Sequence, residues 1–178
     1  MLWAGYAPAM YGLALIREGK VAEGIARLRA SIAFGEASGG KVWSPTLNSR
    51  LAEGMALTGD LDNALRVLEE AIAQIERPGW EGRLSYAELL RLKGWILSLK
   101  GDFEGAERNY LVSLDWARRQ QAKMWELRTS TSLARLWQGQ CKSQAAYGLL
   151  APVYAWFPEG FDTKDLLDAK SLLDELTS

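Results

Sequence analysis

Small and large side chains recur along this chain in a fixed order. In the stretches GKVAEGIARLRAS from Gly19, GDLDNALRVLEEA from Gly59 and GDFEGAERNYLVS from Gly101, the fifth residue after the first is small: Gly24, Ala64 and Ala106. The ninth is large (Leu28, Leu68, Tyr110) and the twelfth small (Ser31, Ala71, Ser113). A fourth stretch, CKSQAAYGLLAPV from Cys141, follows the order less closely with Ala146, Leu150 and Val153. Steps of four and three put these positions on one face of a helix. A matching order lies upstream of each stretch: Gly12, Ala52, Gly94 and Ala134 stand seven residues before it, and Leu15, Met55, Leu97 and Trp137 four before. A small residue at a fixed helical position lets a neighbouring helix come close, and the large one fills the space beside the contact. Each unit is therefore predicted to be an antiparallel helix pair. The glycine makes the turn, and Asp60 and Asp102 suit the N-cap of the second helix.

The four stretches begin at Gly19, Gly59, Gly101 and Cys141, a period of roughly 40 residues that marks a solenoid. The predicted architecture is all-α: about four helix pairs in a single domain over 1–178, with repeats at about 3–42, 43–84, 85–124 and 125–160. The tail FDTKDLLDAKSLLDEL offers Asp162 or Thr163 as N-cap and Leu166, Ala169, Leu173 and Leu176 as one apolar stripe. That predicts a capping helix over 163–176, which closes the apolar end of the last pair. Pro152 falls inside the second helix of the fourth pair, where the helix is expected to kink or end. Cys141 stands where the other turns have glycine. At the other end Trp3, Tyr6 and Met10 begin a first helix with no cap before it, which points to a preceding repeat that is missing or to a homodimer through that end.

Composition narrows the chemistry. The 178 residues carry 21 Lys plus Arg against 22 Asp plus Glu, a net charge of −1, so the positive field that nucleic-acid backbones require is absent. One cysteine and no histidine exclude an internal disulfide, the common zinc sites and an imidazole base, and fit a reducing cytoplasm. The stretch before Arg17 is nearly uncharged, but it lacks a basic leader and contains Pro8. It also falls short of the roughly 20 apolar residues of a membrane span. The carboxylate pairs Glu69/Glu70 and Asp102/Glu104 fall on helix surfaces or caps, without an apolar pocket for acid-base work. No enzyme activity, cofactor or metal is expected.

The stretch GEASGGKVW (Gly35 to Trp43) contains most of a phosphate-binding loop. A helix precedes it instead of a strand, and Val42 stands where such loops have Ser or Thr, so it is read as a helix stop at Gly39 and Gly40. Tryptophan recurs at one fixed distance before three of the turns, as Trp3, Trp43 and Trp125, with Ser85 in the odd place and Trp80 nearby. These rings are expected to seal the junctions between pairs, the competing reading being an aromatic strip for a ligand.

The small, small and large positions resemble those of the tetratricopeptide repeat (TPR), although the period here exceeds that repeat's standard length of about 34 residues. The resemblance implies a right-handed superhelix with lengthened second helices or links, and ligands along the concave groove lined by first helices. By position that groove would include Leu13, Arg17, Ser49, Glu53, Glu88, Arg91, Trp95, Arg128, Thr131 and Arg135. Arg91, Arg128 and Arg135 would favour an acidic protein or peptide segment, with Trp95 as an apolar anchor. From Met124 on, MWELRTSTSLARLW and LLAPVYAWFPEGFDTKDLLDAKSLLDEL resemble the C-terminal end of bacterial signalling proteins that join a class III adenylate cyclase or winged-helix domain to a signal-transduction NTPase. That resemblance is strong over the last third and elsewhere rests on repeat pattern. It implies a non-catalytic regulatory or sensor arm, the alternative being a self-association element.

Overall fold

The computed structural model describes residues 6–38, 44–79 and 83–177. They form α1 (Tyr6–Arg17), α2 (Val21–Ala37), α3 (Ser44–Leu57), α4 (Leu61–Glu76), α5 (Tyr86–Leu99), α6 (Phe103–Arg119), α7 (Lys123–Gly139), α8 (Ser143–Tyr154) and α9 (Lys164–Leu176), with no strand among the described residues. Consecutive helices pair as α1/α2, α3/α4, α5/α6 and α7/α8. The first helices α1, α3, α5 and α7, followed by α9, touch one another in series, whereas α2, α4, α6 and α8 touch only their neighbours in sequence. The first helices thus line the inner side of a solenoid and the second helices its outer side.

All four turns inside the pairs close in the same way. The Gly19 and Lys20 amides donate to the Ile16 and Leu15 carbonyls at 3.1 and 2.8 Å, and those of Gly101 and Asp102 to Ser98 and Leu97 at 3.0 and 2.9 Å. In the fourth turn Cys141 and Lys142 donate to Gln138 and Trp137, again at 3.0 and 2.9 Å. Two nested bonds of this kind need a left-handed residue between them. Gly19, Gly59 and Gly101 supply φ of 83°, 84° and 83°, and Cys141 supplies 60°. The fourth turn therefore keeps the geometry of the others despite its Cβ, at a backbone cost of about 1 kcal/mol.

The small residues mark where the helices of a pair cross. A Cβ on Gly24 would lie 2.6 Å from the Gly12 carbonyl oxygen, and one on Gly94 would lie 2.7 Å from the Tyr110 ring. Ala52 with Ala64 and Ala134 with Ala146 hold the same places in the second and fourth pairs, and all four are fully buried. Apolar side chains pack outward from these crossings: Leu28, Leu47, Leu51, Leu68 and Leu89 at one end of the stack, and Leu127, Leu150, Leu166 and Leu172 at the other.

Several local expectations are refined. Asp102 caps α6 by accepting the Gly105 amide at 2.8 Å, but Asp60 makes no cap bond because its carboxylate takes the Asn63 amide group at 2.9 and 3.2 Å. Thr163 holds the N-cap position of α9, yet its hydroxyl donates to the Gly160 carbonyl at 2.7 Å. Pro152 neither stops α8 nor leaves it full length, since the helix runs on to Tyr154 and has 12 residues against 17, 16 and 17 in α2, α4 and α6. Gly35 lies inside α2, so the stretch that mimics a phosphate loop begins as helix; Gly39 to Trp43, like Trp3 and Trp80, fall outside the described residues. Trp125 is half-buried. The tail helix α9 buries Leu166, Ala169 and Leu173 as expected and Leu172 besides, with Leu176 half-buried. It rests on α7 and α8 as α7 rests on α5 and α6, so the cap has the place of a first helix.

Candidate functional site

Six residues before each turn stand Leu13, Glu53, Trp95 and Arg135, and all four face the inner side. They line two adjoining cavities of about 550 and 650 Å³ that share Glu53, Leu57, Arg91, Ser132, Arg135 and Lys164 and so form one groove. Leu13, Ile16 and Leu57 give the larger cavity its apolar wall. Trp95, Phe103 and Leu136 do the same for the smaller.

Beneath this groove lies a buried carboxylate. Glu88 on α5 is 1% exposed. Its oxygens accept from Arg91 Nε at 2.7 Å and Nη2 at 3.0 Å, from Arg128 Nη1 at 3.1 Å, and from Arg50 Nη1 at 3.4 Å. Arg50 comes from α3, Arg91 from α5 and Arg128 from α7, so one carboxylate ties three successive inner helices together. The chain of charges continues at both ends. Arg50 Nη1 also reaches Glu53 at 3.0 Å, and Arg128 Nε reaches both oxygens of Asp165 on α9 at 3.0 Å. Burial by itself would push the Glu88 carboxyl up, but the guanidinium groups of Arg91, Arg128 and Arg50 outweigh it and hold it below the ordinary carboxylate range. Arg91 is the complement: burial would lower it, and Glu88 raises it further. At the groove wall the Tyr110 phenol is pushed up to about 12 by burial, with the Arg91 charge working in the opposite direction.

The groove is positive although the chain is not. Six cationic side chains (Arg17, Arg50, Arg91, Arg128, Arg135 and Lys164) line the larger cavity against three carboxylates, in a chain of net charge −1. Most of these cations already have partners, Lys164 being held by Asp168 at 2.8 Å. Arg17 and Arg135 are exposed and have no ion-pair partner among the described residues.

The residues named from sequence divide into two groups. Leu13, Arg17, Glu53, Arg91, Trp95, Arg128, Thr131 and Arg135 line the groove. Ser49 and Glu88 lie behind it: Ser49 is buried with its hydroxyl on the Thr46 carbonyl at 2.7 Å, and Glu88 is enclosed by arginines. Sequence reasoning missed Arg50 and Ser132, although both stand nine residues before a turn, on the same helical stripe as the residues six before it. It also missed Lys164, Asp165 and Asp168, because α9 was read as a closing cap instead of one more inner helix.

Among the described residues no group of three or more Cys, Asp or Glu is arranged to hold a metal ion, and no helix is long and apolar enough to cross a membrane. No protein-family model matches the chain, and no curated protein sequence does. Solved structures do match. A protein assigned as a kinesin light chain from Podospora anserina, built of nearly identical TPR-like repeats, superimposes with a TM-score of 0.71 at 16% identity, over 99% of this chain and 86% of that one. A singly substituted form of that protein gives 0.72 at 15% identity, over 96% and 84%. At such identities the likeness is one of fold. Paired helices, serial stacking and a closing helix make this chain a TPR-like α-solenoid.

Proposed function

We propose that the chain is a non-catalytic scaffold whose inner groove takes a protein or peptide segment bearing carboxylates. The observation that carries this reading is the cationic surplus along the larger cavity in a chain that is slightly negative as a whole. Arg17 on α1 and Arg135 on α7 supply the grip, since a guanidinium with no internal partner can take a carboxylate by two parallel bonds. Arg91 and Arg128 serve a different purpose: they are held by Glu88 and fix the wall against which the segment lies. Leu57 and Trp95 offer apolar contact beside the charges. A fluorescent hexaglutamate peptide, followed by anisotropy, tests the groove. The wild-type chain should bind it, with affinity falling as salt rises, and Arg17→Glu with Arg135→Glu should weaken binding at least ~10-fold. The reading is wrong if the wild type does not bind or if the charge-reversed chain binds equally well.

The setting we propose, a regulatory or sensor arm beside a bacterial signalling ATPase or adenylate cyclase, rests on the sequence resemblance of residues 124–176 alone. A cytoplasmic location rests likewise on the single cysteine. Self-association is a second reading, favoured by an exposed and uncharged face of α1. It uses a different surface from the groove, so the two readings are compatible.

A further inference from the structure

At the large position of the second helix, the first, second and fourth repeats place Leu28, Leu68 and Leu150, all fully buried. They line neither cavity of the groove. The third repeat places Tyr110 there. Its side chain starts on the outer helix α6, passes α5 at Gly94, where a Cβ would lie 2.7 Å from the ring, and so reaches the wall of the smaller cavity on the inner side. Tyr110 is 2% exposed, and its hydroxyl has no hydrogen-bond partner among the described residues. Burial pushes the phenol up to about 12, so at neutral pH it keeps its proton and is a donor without an acceptor. Buried polar groups are rarely left in that state, because an unmade bond is costly. A phenylalanine would fill the same space beside Gly94 without that cost, so packing alone does not account for the oxygen.

We propose that Tyr110 is a specificity-determining residue of the groove: its hydroxyl donates to a side-chain carboxylate of the bound segment, which Arg135 grips from the same cavity. This rests on the groove reading and names the group that the smaller cavity selects. Arg91, Arg135 and Lys164 line that cavity against one carboxylate, Glu53, which Arg50 already holds at 3.0 Å. Arg135 is exposed and has no ion-pair partner among the described residues. A charged acceptor therefore suits the surroundings of the hydroxyl better than a neutral one, and it makes the stronger bond. Trp95 and Leu136 give its methylene stem an apolar wall.

Tyr110→Phe removes the oxygen and leaves the ring in place. Because the hydroxyl has no internal partner, the free variant should unfold at the wild-type urea midpoint or above it, while its affinity for the fluorescent hexaglutamate peptide should fall about 10-fold. In an Arg135→Glu background the same substitution should change affinity by less than about twofold, since the carboxylate that both residues hold has then left the cavity. A wild-type chain that does not bind the peptide overturns the groove reading and this inference with it. If the wild type binds and Tyr110→Phe binds equally well, the groove reading stands and the role of Tyr110 falls. A lowered urea midpoint overturns that role too, because the hydroxyl then has a structural partner, and full additivity of the two substitutions would put Tyr110 and Arg135 on different groups.

Discussion

Glu88 is buried among three arginines, and the arrangement has a definite sign in pH. Its carboxyl is held below the ordinary value of 4.5, so the folded chain releases this proton more readily than the unfolded chain does. The stability it contributes is fully present above about pH 4.5 and drains away as the pH falls through the lowered folded value. Glu88→Gln should cost about 3 kcal/mol at neutral pH, because Arg91 is left buried without its counter-charge. Urea unfolding at pH 7 and pH 4 checks this: the difference between wild type and variant should shrink on acidification. A second residue works in the other direction. Cys141 has φ of 60° in a turn whose counterparts are glycines, so Cys141→Gly should stabilise the chain by about 1 kcal/mol, read as a raised thermal midpoint. The glycine position could be read from the sequence, since the repeat displays it three times. The Glu88 cluster could not, because its members come from three repeats and the position that Glu88 and Arg128 share, thirteen residues before the turn, carries opposite charges in the two.

At the scale of elements, the crossing of two helices depends on what is missing from their side chains. Gly12 and Gly24 bring α1 and α2 together so closely that either Cβ would press on the opposing backbone. Gly24→Ala should therefore force the pair apart and cost about 1 to 3 kcal/mol, measurable by chemical denaturation, whereas Gly148→Ala on the open side of α8, where a Cβ meets nothing, should be neutral or slightly stabilising. The small-residue register made helix pairs and crossings legible from sequence, since close packing restricts residue choice more tightly than any other contact here. Caps were less legible. Asp60 and Asp102 stand at equivalent positions, and only the second caps, because Asn63 competes for the first carboxylate while Gly105 leaves its own amide open. Pro152 was legible as a shortening of α8 but not as to where, since a helix near its end loses only one inward bond to proline and can close the last turn around it.

The whole molecule is a stack in which each pair contacts only its neighbours, and α9 shows what that implies. It occupies an inner position without a second helix of its own in the described residues, covering Leu127, Leu150 and Val153 and holding Arg128 through Asp165. Because stability in such an array is a sum of local units and the interfaces between them, deleting residues 163–178 should act locally. Amides in α7 and α8 should lose most of their protection from hydrogen exchange, since the apolar surface that α9 buried now faces water. Amides in α3 and α4 should keep theirs, because the Arg50–Glu88 pair that ties α3 to α5 and the Leu47 and Leu68 contacts involve no residue of α9 and rest on an intact α5/α6 pair. A uniform loss of protection along the chain would mean that the molecule folds as one cooperative globule, and then neither the local role of α9 nor the independence of the groove from the α1 face would hold.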